Sequence, residues 1–184
     1  MQKRVKLYLP SGNIGYEELQ FDNIVVIERV EPILAPLLST ERFMCQAGTA
    51  GLTRFEKIKY IFETEPKSQL KVCVMKASKR NSDFLNCGRC WKCVKTLYDI
   101  EAIGKVKEID QIFEINAYIK NKDQLVSSIP LEHRNFKHMA KKIPLIEAQG
   151  GKIPKILLKY QNDLQKTPNS APKDVVKRKR WFFK

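Results

Sequence analysis

Apolar positions change their spacing several times along this chain, and each change marks an element. Val5-Lys6-Leu7-Tyr8-Leu9 alternates and stops at Pro10-Ser11-Gly12, the pattern of a short strand running into a loop. Ile24-Val25-Val26-Ile27 is a continuous β-branched run, which predicts a strand covered on both faces. Pro32 and Pro36 break the next stretch into a connector, so Ile33, Leu34, Leu37 and Leu38 are expected as core contacts of an irregular segment. Ser39-Thr40-Glu41 then reads as the start of a helix or turn. In Thr53-Arg54-Phe55-Glu56, Thr53 caps a helix and Glu56 reaches back to it. That helix carries Phe55, Ile58, Ile61 and Phe62 on one face and ends before Pro66.

Leu70-Lys71-Val72-Cys73-Val74-Met75 is a third strand candidate, followed by a polar, basic loop over 76–83. A helix over 94–103 is expected to open at Cys93. After Gly104 the pattern is helical but less regular, anchored by Ile109, Ile112, Phe113 and Ile115 and punctuated by Asn121-Lys122-Asp123 and Pro130. Ile153, Ile156, Leu157, Tyr160 and Leu164 fall at helical spacing after Gly150-Gly151. Thr167-Pro168-Asn169-Ser170-Ala171-Pro172 has linker composition, and a basic tail from Lys173 to Lys184 ends in Trp181, Phe182 and Phe183.

Chemistry concentrates in Asn86-Cys87-Gly88-Arg89-Cys90-Trp91-Lys92-Cys93. Its three cysteines follow a C-x2-C-x2-C pattern, which turns neighbouring thiolates toward one point, and Cys73 upstream would be the fourth ligand. Gly88 tolerates the positive φ of a tight turn and leaves backbone N–H groups facing the sulfurs. The helix that follows would favour a thiolate at its positive end. Reduced buried thiols or disulfides are the bland alternatives. A four-thiolate zinc site needs nothing further, and an iron–sulfur cluster ranks next, because the bacterial ferredoxin pattern wants another cysteine where Leu97 stands. Cys45 stands apart and reads as a small buried apolar residue.

Charge narrows the partners. The 184 residues carry a formal net charge of +14, which favours RNA, nucleotides or acidic lipid surfaces. No apolar run is long enough to cross a bilayer, and the start of the chain has no secretory pattern, so the cytoplasm is the expected compartment. His133 and His138, five apart, point to different sides of a helix and read as surface residues rather than ligands. The tail could bind RNA with aromatic stacking, or an anionic membrane surface.

Pro36-Leu37-Leu38-Ser39-Thr40-Glu41, Leu52-Thr53-Arg54-Phe55-Glu56-Lys57-Ile58, Val72-Cys73-Val74 and the segment from Asn86 to Leu97 occur in an order that resembles one family. It is similar to the C-terminal half of N-type ATP pyrophosphatase (PP-loop) proteins like 7-cyano-7-deazaguanine synthase, within the adenine nucleotide alpha hydrolase superfamily. The resemblance spans roughly residues 5–104, and residues 131–160 look like the helical tail of an uncharacterised branch. It implies an α/β fold: a partial Rossmann-like sheet with a four-cysteine zinc subsite and a helical C-terminal extension. It also implies ATP-dependent adenylation with release of pyrophosphate, and structural zinc on Cys73, Cys87, Cys90 and Cys93.

The family's Ser-Gly-Gly-x-Asp-Ser loop cradles the ATP pyrophosphate, and it has no counterpart here. Ser11-Gly12-Asn13-Ile14-Gly15-Tyr16 has Asn13 for the second glycine, Gly15 for the aspartate and Tyr16 for the last serine. The chain therefore reads as the second half of such a protein, inactive on ATP alone, with the loop supplied by missing sequence or a partner chain. The expected layout is 1–66 as the last part of the α/β domain, 67–104 as the metal subdomain, 105–166 as the helical extension and 167–184 as the tail, with a homo-oligomer also envisaged. Ser39, Thr40 and Glu41 resemble the pocket-lining segment, and Arg54 and Lys57, one turn apart beside Thr53, suit phosphate or substrate contacts. The alternatives are a PP-loop tRNA sulfur transferase-like protein with an iron–sulfur cluster, or a non-catalytic zinc module binding nucleic acid.

Overall fold

A computed structural model describes residues 5–10, 31–48, 51–64, 70–76, 83–130 and 136–166. The 24–27 run, the 11–16 stretch, His133 and the tail after 166 lie outside these residues. Within them the chain is mixed α/β and mostly helical, with one two-stranded parallel sheet. No helix among them is long and apolar enough to cross a membrane. The chain divides into two compact units, Met1–Glu65 and Pro66–Lys184.

The first unit holds β1 (Val5–Pro10), α1 (Glu31–Leu37), β2 (Phe43–Gly48) and α2 (Arg54–Thr64). β1 and β2 run parallel, with Val5 opposite Phe43 and Pro10 opposite Gly48. Parallel neighbours require a crossover, and α1 lies in it, packed on β2 where Ala35 and Cys45 are both buried. Cys45 is thus the small core residue expected.

α1 corrects the irregular connector. Pro32 falls in the first turn, where a missing N–H has no intrahelical partner, and Pro36 falls in the last, where it removes one bond from a helix about to end. Leu34, Leu37 and Leu38 are exposed at 43%, 74% and 64%, so they are surface rather than core. After α1, Thr40 and Phe43 exchange backbone hydrogen bonds at 2.7 and 3.3 Å, a turn that leads into β2. The cap on α2 is as expected: Thr53 N–H donates to Glu56 Oε2 (2.6 Å) and Glu56 N–H donates to Thr53 Oγ1 (3.3 Å). Ile58 and Phe62 face inward.

In the second unit no strand forms over 70–75. Two N–H groups that a ladder would use go instead to a side chain, as described below. α3 (Trp91–Ala102) is the central helix, opening two residues earlier than expected, with Cys90 as its N-cap. Val94, Leu97, Tyr98 and Ile100 are all fully buried, so this helix is enclosed on nearly every side. A 3-10 turn (Val106–Ile109) follows, then α4 (Ile115–Ser127), which is non-helical at Asn121, the punctuation expected there. α5 (Phe136–Ala140), α6 (Ile143–Ala148) and α7 (Lys155–Lys166) complete the unit.

Two polar connections tie α3 to its neighbours. Lys122 Nζ, on α4, reaches Glu101 Oε2 at 2.6 Å and donates to the Lys152 carbonyl at 2.6 Å, and Tyr118 Oη donates to the same Glu101 oxygen at 2.8 Å. Lys142 meets the buried Asp99 carboxylate at 2.7 Å.

Candidate metal centre

Each sulfur arrives on a backbone that something else holds in place. Cys73 lies in the extended 70–76 strap, Cys87 and Cys90 flank the Gly88 turn, and Cys93 is in the first turn of α3. Their four Sγ atoms lie within 4.8 Å of one another, so this group could hold a metal ion. Cys87 and Cys93 are 3.9 Å apart and Cys90 and Cys73 4.0 Å. Four sulfurs about 2.3 Å from one tetrahedral ion would stand about 3.8 Å apart, so the donor set fits a single ion. All five cysteines are free thiols.

Gly88 makes the turn possible. Its φ is +64°, and a Cβ there would run into the carbonyl oxygen of Glu114. The turn also aims the Cys90 N–H at Cys87 Sγ, 3.3 Å away, the kind of donor a thiolate needs.

Electrostatics in the cluster are uneven. Hydrogen bonds from the Cys93 thiol and from the backbone N–H groups of Cys93 and Val74 hold the Cys90 thiol well below the usual range. Cys93 moves the other way, because it donates to Cys90 and is buried among the other sulfurs. Burial likewise pushes the Cys87 thiol up, against backbone donors from Arg89 and Cys90. A bound cation would let all four ionise.

Asn86 has a role that spacing did not announce. Its side chain is fully buried. Oδ1 accepts from the N–H groups of Val72 (2.8 Å) and Cys73 (3.1 Å), and Nδ2 donates to the carbonyls of Leu70 (2.7 Å) and Ile112 (3.2 Å). Its backbone bridges to the far side, donating to Ile112 O (2.9 Å) and accepting from Glu114 N–H (3.0 Å). One residue thus fixes the Cys73 strap, the cysteine turn and the 112–114 segment together. Glu114 adds a clamp from outside, its Oε2 lying 2.6 Å from Arg89 Nη2.

The other candidates lie in the first unit. Ser39 Oγ accepts from the Cys45 N–H (2.9 Å) and donates to its carbonyl (3.2 Å), so this hydroxyl holds the turn into β2. Thr40 and Glu41 are exposed in that turn, and Arg54 and Lys57 are half-buried on the first turn of α2. His138 is half-buried on α5 and is not part of the cysteine group. Comparisons with family models, with curated proteins and with solved structures return no match.

Proposed function

We propose that the four cysteines hold one structural zinc ion, and that the chain is the zinc-bearing portion of an ATP-dependent PP-loop enzyme resembling 7-cyano-7-deazaguanine synthase. The observation that carries the metal reading is the mutual approach of all four Sγ atoms to within 4.8 Å. Thiolates sharing one ion stand this close, whereas thiolates on separate irons of a cluster stand further apart. Four protein ligands fill a tetrahedral ion and leave no position for a reactant, which assigns the ion a structural role. Bound there, the zinc would supply cross-linking. Cys73 would tie the strap to the turn, Cys87 and Cys90 would fix the turn, and Cys93 would attach both to α3.

The enzyme reading rests on the order of Ser39-Thr40-Glu41, Thr53-Arg54 and the cysteines along the sequence. The parallel β1–β2 pair with a helix in its crossover is compatible with a partial Rossmann-like sheet. In this reading ATP is bound with a Ser-Gly-Gly-x-Asp-Ser loop contributed from elsewhere, and the chain by itself turns over no ATP.

Elemental analysis and an absorbance spectrum of protein purified without air, beside Cys90→Ser, test the metal reading. The expected result is about one zinc per chain, no band near ~400 nm and loss of metal in the variant. Iron with visible absorbance, or no metal, overturns it. Coding sequence immediately upstream, and any polypeptide that co-purifies, test the enzyme reading. Absence of the Ser-Gly-Gly-x-Asp-Ser segment from both overturns that reading and leaves the metal result standing.

A further inference from the structure

The metal-bearing segment carries more positive charge than a metal centre would neutralise. Between Pro66 and Tyr98 stand eight lysines and arginines against one acidic residue, Asp83. A zinc tetrathiolate bears two negative charges and Glu114 pairs with Arg89, so the segment still carries a surplus of about +4. Part of that charge is gathered on an aromatic ring. Lys92 Nζ lies 5.4 Å and Lys95 Nζ 5.7 Å from the centre of the half-buried Trp91 ring, immediately after Cys90. Val74, whose N–H points at the Cys90 sulfur, and Met75 add exposed apolar surface next to this cysteine.

These features select a polyanion that also offers flat, exposed π faces. An acidic peptide or an anionic lipid supplies the charge but no plane to stack. A duplex supplies both but hides its base faces within the stack. A single strand presents phosphates and unpaired bases together, which is the pairing of lysines and aromatic found here. We propose that the Trp91 face of the cysteine turn binds single-stranded nucleic acid, the Lys92 and Lys95 ammonium groups swinging off the ring onto adjacent phosphates as a base takes their place on Trp91. The proposal depends on the metal reading only for a rigid turn, so metal content is measured on the same samples.

The test is fluorescence anisotropy of the full, metal-loaded chain with a labelled oligothymidylate of about 15 nucleotides over a range of salt. Every variant keeps the basic tail, so its contribution is constant. Trp91→Ala should weaken binding about tenfold with the salt slope unchanged, and Trp91→Phe should restore most of it. Lys92→Gln with Lys95→Gln should flatten the salt slope by about 1.4. Unchanged binding in Trp91→Ala with its metal retained overturns the proposal, as does equal competition by a duplex of the same charge or by polyglutamate. If Trp91→Ala loses its metal, the lysine double variant decides. An unchanged slope there overturns the proposal, whereas absence of metal in the parent chain overturns only the zinc reading.

Discussion

Replacing Asn86 with alanine tests what builds the cysteine centre, because it touches no sulfur. The substitution removes one acceptor that serves Val72 N–H and Cys73 N–H, and one donor that serves the Leu70 and Ile112 carbonyls. Ile112 O keeps the Asn86 backbone N–H, so three main-chain groups lose their partner. Leu70, Val72 and Cys73 are half-buried, and water can reach part of what is lost. At about 1 kcal/mol for each group, the low end of the range for orphaned polar atoms, the cost is about 3 kcal/mol. α3 packs on α4, α6 and the 3-10 turn. The cost should therefore fall on docking Cys73 rather than on folding of the unit, and weaken metal binding about a hundredfold. Asn86→Asp keeps the acceptor, loses the donor and adds a negative charge beside the thiolates, so it should also bind metal more weakly. Chelator competition reads the affinity, and thermal unfolding with and without zinc separates it from stability. An Asn86→Ala protein that binds zinc as tightly as the parent would refute the reasoning. So would a variant whose metal-free form alone is destabilised.

Gly88→Ala should weaken metal binding even though alanine is the smallest replacement. Positive φ costs a side chain about 1–2 kcal/mol, and the turn must also move off the Glu114 carbonyl, so chelator competition should show at least a tenfold loss. Asp123 accepts the N–H of Lys155 at 2.8 Å, capping α7 from α4, and this hydrogen bond, with Lys152 nearby, depresses its carboxyl. A depressed folded-state value means the stabilisation is present above the unfolded value of about 3.9 and is lost as pH falls through the folded one. Asp123→Asn should therefore cost about 0.5 kcal/mol at neutral pH, allowing for a carboxylate about one-third exposed, and flatten the acid limb of a stability–pH profile.

Features carried by residues close in sequence were legible; those carried by distant partners were not. The cysteine spacing, the glycine in the turn and the Thr53–Glu56 cap each sit within a few residues, where chain geometry dictates the contact. Asn86 was invisible because its side chain bonds to positions 13 to 26 residues away. β2 was missed for another reason: Phe43-Met44-Cys45-Gln46-Ala47-Gly48 has no β-branched residue, and parallel pairing with β1 supplied what propensity did not. Residues 70–75 show the converse. Their strand-like composition meets an amide side chain where a neighbouring strand would have stood, so the segment is held without joining a sheet.

Placement of the sulfurs decides what kind of chemistry this centre can support. Three of the four thiols are fixed by elements that also do other packing: Cys93 by the central helix, and Cys87 and Cys90 by a turn wedged against Glu114. Cys73 alone sits on a strap anchored through one amide. A metal ion would therefore act chiefly on that strap, closing the 73–87 loop, whose ends would otherwise bear the entropic cost of staying together. With four thiolates spent on that task, the ion has no open position, and bond-making would have to come from other side chains. Ser39 is already engaged at both ends by Cys45, so its hydroxyl is spent on holding the turn into β2.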